Sequence, residues 1–119
     1  MSELNGVLPQ ELEHSVESEQ VIVNLKVDAD IDFFKGHFPQ APVLPGVAQL
    51  DWAIHYARKY LSLSDAPVKN VEALKFQVVI TPNQEVTLDL VQKSETKFTF
   101  KFCSEKGTHA SGRIVLEAN

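Results

Sequence analysis

Alternating apolar and polar residues open the chain. Leu12, His14 and Val16 are separated by polar residues, and Val21, Val23, Leu25 and Val27 alternate more cleanly. Both runs predict half-buried β-strands joined by a turn near Ser18-Glu19. From Gly46 the period changes. Val47, Leu50, Ile54, Ala57 and Leu61 recur at spacings of three and four, which predicts one face of a helix. Trp52, Ala53, Tyr56 and Tyr60 broaden the apolar surface, so this helix needs cover on most sides. The prolines at 39, 42 and 45 cannot lie inside it, so it starts after Pro45 and ends near Leu63, before Asp65-Ala66-Pro67. Four strand-like runs follow, over 71–80, 85–93, 97–103 and 108–117. Pro82-Asn83, Ser94-Glu95 and Glu105-Lys106-Gly107 separate them as turns. Two strands, one helix and four strands predict an α+β fold. In it a curved antiparallel β-sheet of about six strands wraps around one central α-helix.

The 119 residues fit a single domain spanning 1–119, with no repeat, linker or low-complexity segment to divide it. Residues 1–10 are polar, hold Gly6 and Pro9, and read as a flexible N-terminal arm. A chain of this size buries about two-thirds of its unfolded surface. The open edges of such a sheet offer a second copy a place to add to that burial.

Charge and cysteine content narrow the classes. A formal net charge of -5 argues against a protein built to neutralise phosphates along nucleic acid. The one cysteine, Cys103, cannot form an intrachain disulfide and reads as a buried structural thiol in a strand. The polar, acidic N-terminus lacks the apolar segment of a signal peptide. No apolar run reaches the roughly 20 residues that a membrane span needs. A reducing cytoplasm is the expected location.

The candidate chemistry lies between Phe33 and Asp51. His37 stands between Gly36 and Phe38-Pro39, where an imidazole can serve as a general base near neutral pH. Pro45-Gly46 leads into the helix, whose first N–H groups carry partial positive charge and have no partner inside the helix. A thioester oxygen placed there would be stabilised as it becomes an enolate, and Gly46 has no side chain to block it. Asp51, in the second turn, could protonate or orient a departing hydroxyl. Burial would raise its pKa and the helix start would lower it, and the residues alone do not rank the two. His55, four residues on, could pair with Asp51 on the helix surface. Taken singly, each feature also has an ordinary structural reading as a loop histidine, a turn or a dipole-complementing acid.

The joint pattern is more specific. Gly-His-Phe-Pro-x-x-Pro-Val-Leu-Pro-Gly-Val-x-x-Leu-Asp, residues 36–51, closely resembles the active-site segment of 3-hydroxyacyl-(acyl-carrier-protein) dehydratases of the FabA/FabZ type. Those enzymes have the hot-dog fold, a curved antiparallel sheet around one long helix. The run Leu44 to Ala53 looks most like the small stand-alone, ApeI-like dehydratases linked to aryl-polyene and related pathways.

The resemblance implies dehydration of a 3-hydroxyacyl thioester on acyl carrier protein to the trans-2-enoyl thioester. It implies that His37 and Asp51 are catalytic. The thioester would be bound by N–H groups of Gly46 and Val47, and the backbone carbonyl of Val43 would orient the histidine. It also implies a homodimer, or a higher oligomer, whose sites draw on both chains at the interface. No metal or redox cofactor is implied, the substrate being carried on the phosphopantetheine of the carrier. Phe33, Phe34, Trp52 and Phe76 are candidates to line an acyl tunnel. Lys35, Arg58, Lys59, Lys69 and Lys75 are candidates to dock an acidic carrier. Two features depart from the family pattern. The N-terminal region is short, and Thr81-Pro82-Asn83-Gln84 stands where the family often has Pro-Gly-Asp. Two alternatives stay open: a hot-dog acyl thioesterase, and a non-catalytic acyl-binding partner subunit.

Overall fold

In strand β2 (Gln20–Val27) Val21, Val23, Leu25 and Val27 are all buried, so the alternation read in the sequence becomes the inner face of a sheet. A computed structural model describes residues 8–28 and 43–118. Its other elements are β1 (Gln10–Glu17), α1 (Gly46–Tyr60), β3 (Val68–Phe76), β4 (Gln84–Ser94), β5 (Lys97–Ser104) and β6 (Gly107–Leu116). The six strands form one sheet in the order β1-β2-β4-β5-β6-β3, and every neighbouring pair is antiparallel. Val86, Leu88 and Leu90 of β4, Phe98, Phe100 and Phe102 of β5, and Ile114 and Leu116 of β6 complete the inner face. They close on Ala48, Trp52, Ala53, Tyr56 and Ala57 of α1. Gly112 pairs with Phe100 across β5 and β6, and a Cβ on it would stand 2.9 Å from the Phe100 ring. The missing side chain is what lets that ring lie flat over β6.

Three boundaries differ from the sequence expectation. The helix ends at Tyr60, not near Leu63. Leu61 is already extended (φ -98, ψ 161), and Arg58 donates to the carbonyls of Ser64 (3.3 Å) and Ala66 (2.9 Å), which draws the exit segment back along the helix. Strand β3 begins at Val68 and stops at Phe76. The apolar run after it leaves the ladder, and the Gln77 and Val78 N–H groups instead bond the carbonyls of His109 (2.9 Å) and Thr108 (3.4 Å). The buried side of the helix is also not the expected one. Ala48, Gln49, Trp52, Ala53, Tyr56 and Ala57 face the sheet, while Val47 is 61% exposed and Leu50 and Ile54 are half-buried. A second apolar stripe therefore runs along the helix on the side that the sheet does not cover.

Strand β1 is almost wholly exposed, and Leu8 and Pro9 just before it already pack inward. A polar cluster ties β1 to the end of the helix. Glu11 accepts hydrogen bonds from Tyr60 Oη and from Lys59 Nζ (3.1 Å), with His14 Nδ1 at 3.1 Å and the His14 ring stacked on Tyr60. Burial pulls the Glu11 carboxyl upward, but the Tyr60, Lys59 and His14 contacts outweigh it and hold the group below its ordinary range. A carboxyl so depressed contributes stability above its unfolded pKa and loses it as pH falls through the folded value. Glu11→Gln should thus lower the thermal midpoint at neutral pH, and the difference from wild type should shrink on acidification. Thermal unfolding over a pH series checks this.

Candidate active site

The helix start is held by backbone on one side and left open on the other. Pro45 is the N-cap (φ -63, ψ 152), and the helix has no side-chain cap and no acid in its first turn. The Pro45 carbonyl accepts from the N–H groups of Ala48 (3.1 Å) and Gln49 (3.3 Å). No acceptor among the described residues meets the N–H groups of Gly46 or Val47. Just upstream, Leu44 donates its N–H to the Ile80 carbonyl (2.8 Å), and its own carbonyl accepts from Gln49 Nε2 (3.4 Å). Ile80 follows β3 in the segment pinned by β6. Residues 43–46 are thus a strut fixed to the sheet at one end and to the helix at the other. At its helix end, the N–H groups of Gly46 and Val47 are left without an acceptor among the described residues.

Phe76, at the end of β3, closes one side of this opening. A Cβ on Gly46 would come within 2.7 Å of the Phe76 ring. Phe76 itself is 48% exposed, as are Val47 and Val79 in larger measure and Leu74 somewhat less. The N–H donors therefore sit beside an exposed apolar patch at the edge of the sheet.

Asp51 is exposed on the uncovered side of the helix, one and a half turns from Gly46. No ion pair among the described residues joins it to His55. The His55 ring packs edge to face against Tyr56 at 4.8 Å. Burial lowers the His55 pKa, the Lys59 charge lowers it further, and Glu11 opposes both. These effects disfavour a cationic His55, and Asp51 stands exposed.

The remaining candidates fall in different places. His37, Phe33, Phe34 and Lys35 lie outside the described residues. Val43 is half-buried at the start of the strut, and Trp52 is core, 1% exposed. Arg58 spends its guanidinium on the Ser64 and Ala66 carbonyls, and Lys59 is paired with Glu11. Lys69 and Lys75 stand exposed on β3. Sequence reasoning did not single out Gln49 or the Ile80 carbonyl. The only signal for Gln49 was a polar residue on the side of the helix shared by Trp52 and Ala53. A concavity of about 920 Å³ lies elsewhere, between Leu12, Asn24, Gln84 and Ser104, and neither Gly46 nor Asp51 lines it. Among the described residues no helix is long and apolar enough to cross a membrane, and no group of His, Cys, Asp and Glu is placed to hold a metal ion.

A six-stranded antiparallel sheet closed on one helix is the hot-dog architecture, shared with dehydratases of known structure. The chain belongs to the ApeI-like family, whose model is described as ApeI dehydratase and matches residues 13–113. It is similar to a chain of the dehydratase heterocomplex ApeI:P from Xenorhabdus doucetiae, with a TM-score of 0.83 and 31% identity over 92% of this chain and 98% of that one. An uncharacterized protein from Erwinia carotovora subsp. atroseptica superposes with a TM-score of 0.73 and 36% identity, covering 93% of this chain and 97% of the other. Among curated proteins, the 3-hydroxyacyl-(acyl-carrier-protein) dehydratase FabZ of Chlamydia abortus is 28% identical over 113 residues, 88% of this chain and 68% of the relative.

Proposed function

We propose that this protein removes water from a 3-hydroxyacyl thioester carried on acyl carrier protein, giving the trans-2-enoyl thioester. The observation that carries the reading is the pair of N–H groups at Gly46 and Val47, without an acceptor among the described residues and seven residues past the Gly-His-Phe-Pro motif. His37 takes the α-proton. The Gly46 and Val47 donors hold the thioester oxygen as negative charge develops on it. Asp51 protonates or positions the leaving hydroxyl, and the Val43 carbonyl orients the His37 ring. The thioester itself acidifies the α-carbon, so the reaction as written draws on no metal or redox cofactor.

The working unit in this proposal is a homodimer. Asp51 is exposed, and the helix start, where Val47 is exposed, stands against Phe76 at the end of edge strand β3, with Leu74 and Val79 also exposed near that strand end. A second copy laid along this edge covers the apolar patch, and in this proposal its His37 works with Asp51 of the first. The Xenorhabdus doucetiae relative is described as a heterocomplex. The corresponding alternative for this chain is a related but different partner. The proposed location is the cytoplasm, where the carrier-bound substrate is made.

The test is mass spectrometry of carrier-bound 3-hydroxyacyl substrates of graded length after incubation with the protein. Loss of one water with the thioester intact is the expected result. Release of free acid would instead identify a thioesterase. Tight binding with no product would identify an acyl-binding subunit.

A further inference from the structure

Gln49 is the one polar side chain on the buried face of the helix, 4% exposed, and its Oε1 is buried without a hydrogen-bond partner among the described residues. Leaving a buried carbonyl oxygen unpaired is costly, and an unbranched apolar side chain of the same length would avoid that cost. Core packing therefore does not explain a glutamine here. What the side chain does contribute is its Nε2 donor, directed to the Leu44 carbonyl.

That carbonyl occupies a critical point. Leu44 is 3% exposed, and its N–H is held by Ile80. The Ile80 segment is fixed in turn by the fully buried His109, whose Nδ1 donates to the Val78 carbonyl (3.0 Å) while Ser104 Oγ meets its Nε2 (2.7 Å). Pro45 follows Leu44 with a ring-fixed φ, and its carbonyl is held by the Ala48 and Gln49 N–H groups, so the Leu44 carbonyl anchors the upstream side of the turn that presents the Gly46 N–H. Among the described residues, the contact that holds the Leu44 carbonyl is Gln49.

We propose that Gln49 is a positioning residue: it clamps the Leu44 carbonyl and so aims the Gly46 and Val47 N–H groups at the thioester oxygen. The inference rests on the dehydratase reading for its catalytic consequence, but the clamp itself is read without turnover.

Gln49→Met removes the donor and keeps the length. Oxyanion donors act mainly in the transition state, so kcat should fall about tenfold while KM stays within about twofold. The thermal midpoint should equal or exceed that of wild type, because the unpaired oxygen is gone. In the same variant, hydrogen exchange at the Leu44 amide should quicken about tenfold. Wild-type kcat with unchanged Leu44 exchange would overturn the proposal. A kcat loss matched by a lowered thermal midpoint would also overturn it, assigning Gln49 to stability alone. If wild type forms no enoyl product, the dehydratase reading fails, and the Leu44 exchange rate still supports or removes the clamp.

Discussion

His37→Ala should yield a protein that folds as wild type does and dehydrates 3-hydroxyacyl carrier substrates about a thousandfold more slowly. Abstracting an α-proton needs a base near the working pH, and a positioned general base is worth about 10²–10⁴ in rate. Nothing among the described residues replaces it. His55 is neutral but turned against Tyr56, His14 is engaged with Glu11 and Tyr60, and His109 is sealed between Val78 and Ser104. The remaining rate would come from thioester binding and the helix-start donors. A steady-state assay beside a thermal unfolding curve separates lost chemistry from lost fold. Turnover near wild type in the folded variant would remove His37 from the mechanism.

Gly46→Val is expected to have the next largest effect, a drop in kcat of about 10²–10³, the range seen when an oxyanion donor is removed. The cause is steric. The Phe76 ring already stands where a Cβ would go, at 2.7 Å, so a branched side chain must push it aside and then cover the two N–H groups itself. Phe76 is half-exposed and free to swing, so the fold should survive, and the thermal midpoint should shift little. Gly46→Ala, with a single methyl, should fall between wild type and the valine variant. Undiminished kcat in a folded Gly46→Val protein would place the thioester oxygen elsewhere.

The sheet was largely legible because its strands bury one face only. Val21 to Val27, Val86 to Leu90 and Phe98 to Phe102 alternate in sequence as they do in burial. The helix was legible in its start and in its need for cover, but not in its orientation. Its apolar residues form two stripes, and local periodicity has no means of ranking Val47-Leu50-Ile54 against Ala48-Trp52-Ala53-Tyr56. Which stripe meets the sheet is decided by the strands, far away in sequence. The end of β3 was misread because Val78-Val79-Ile80 looks like strand, whereas its backbone groups are taken by β6, His109 and Leu44.

The site divides in the same way. Gly46, Val47 and Asp51 stood out from a contiguous motif whose spacing fixes them on the first two turns of a helix. Ile80 reaches the site's strut through a contact with Leu44, far away in sequence, and Gln49 through a buried side chain, and no local pattern marks either. The separation of Asp51 from His55 also needed the fold. At four residues apart on a helix they look like a pair, yet burial keeps His55 uncharged and its ring lies edge to face with Tyr56.

The central claim is a dehydratase site in which His37 of one chain works with Asp51 of another. Co-expressing His37→Ala and Asp51→Asn chains with different tags, and isolating the mixed dimer, tests it directly. Each parent alone should be nearly inactive. In the mixed dimer one site holds both lesions and the other holds neither, so activity should return to about half that of wild type per dimer. A mixed dimer as inactive as its parents would contradict the account, because His37 and Asp51 would then have to act within a single chain.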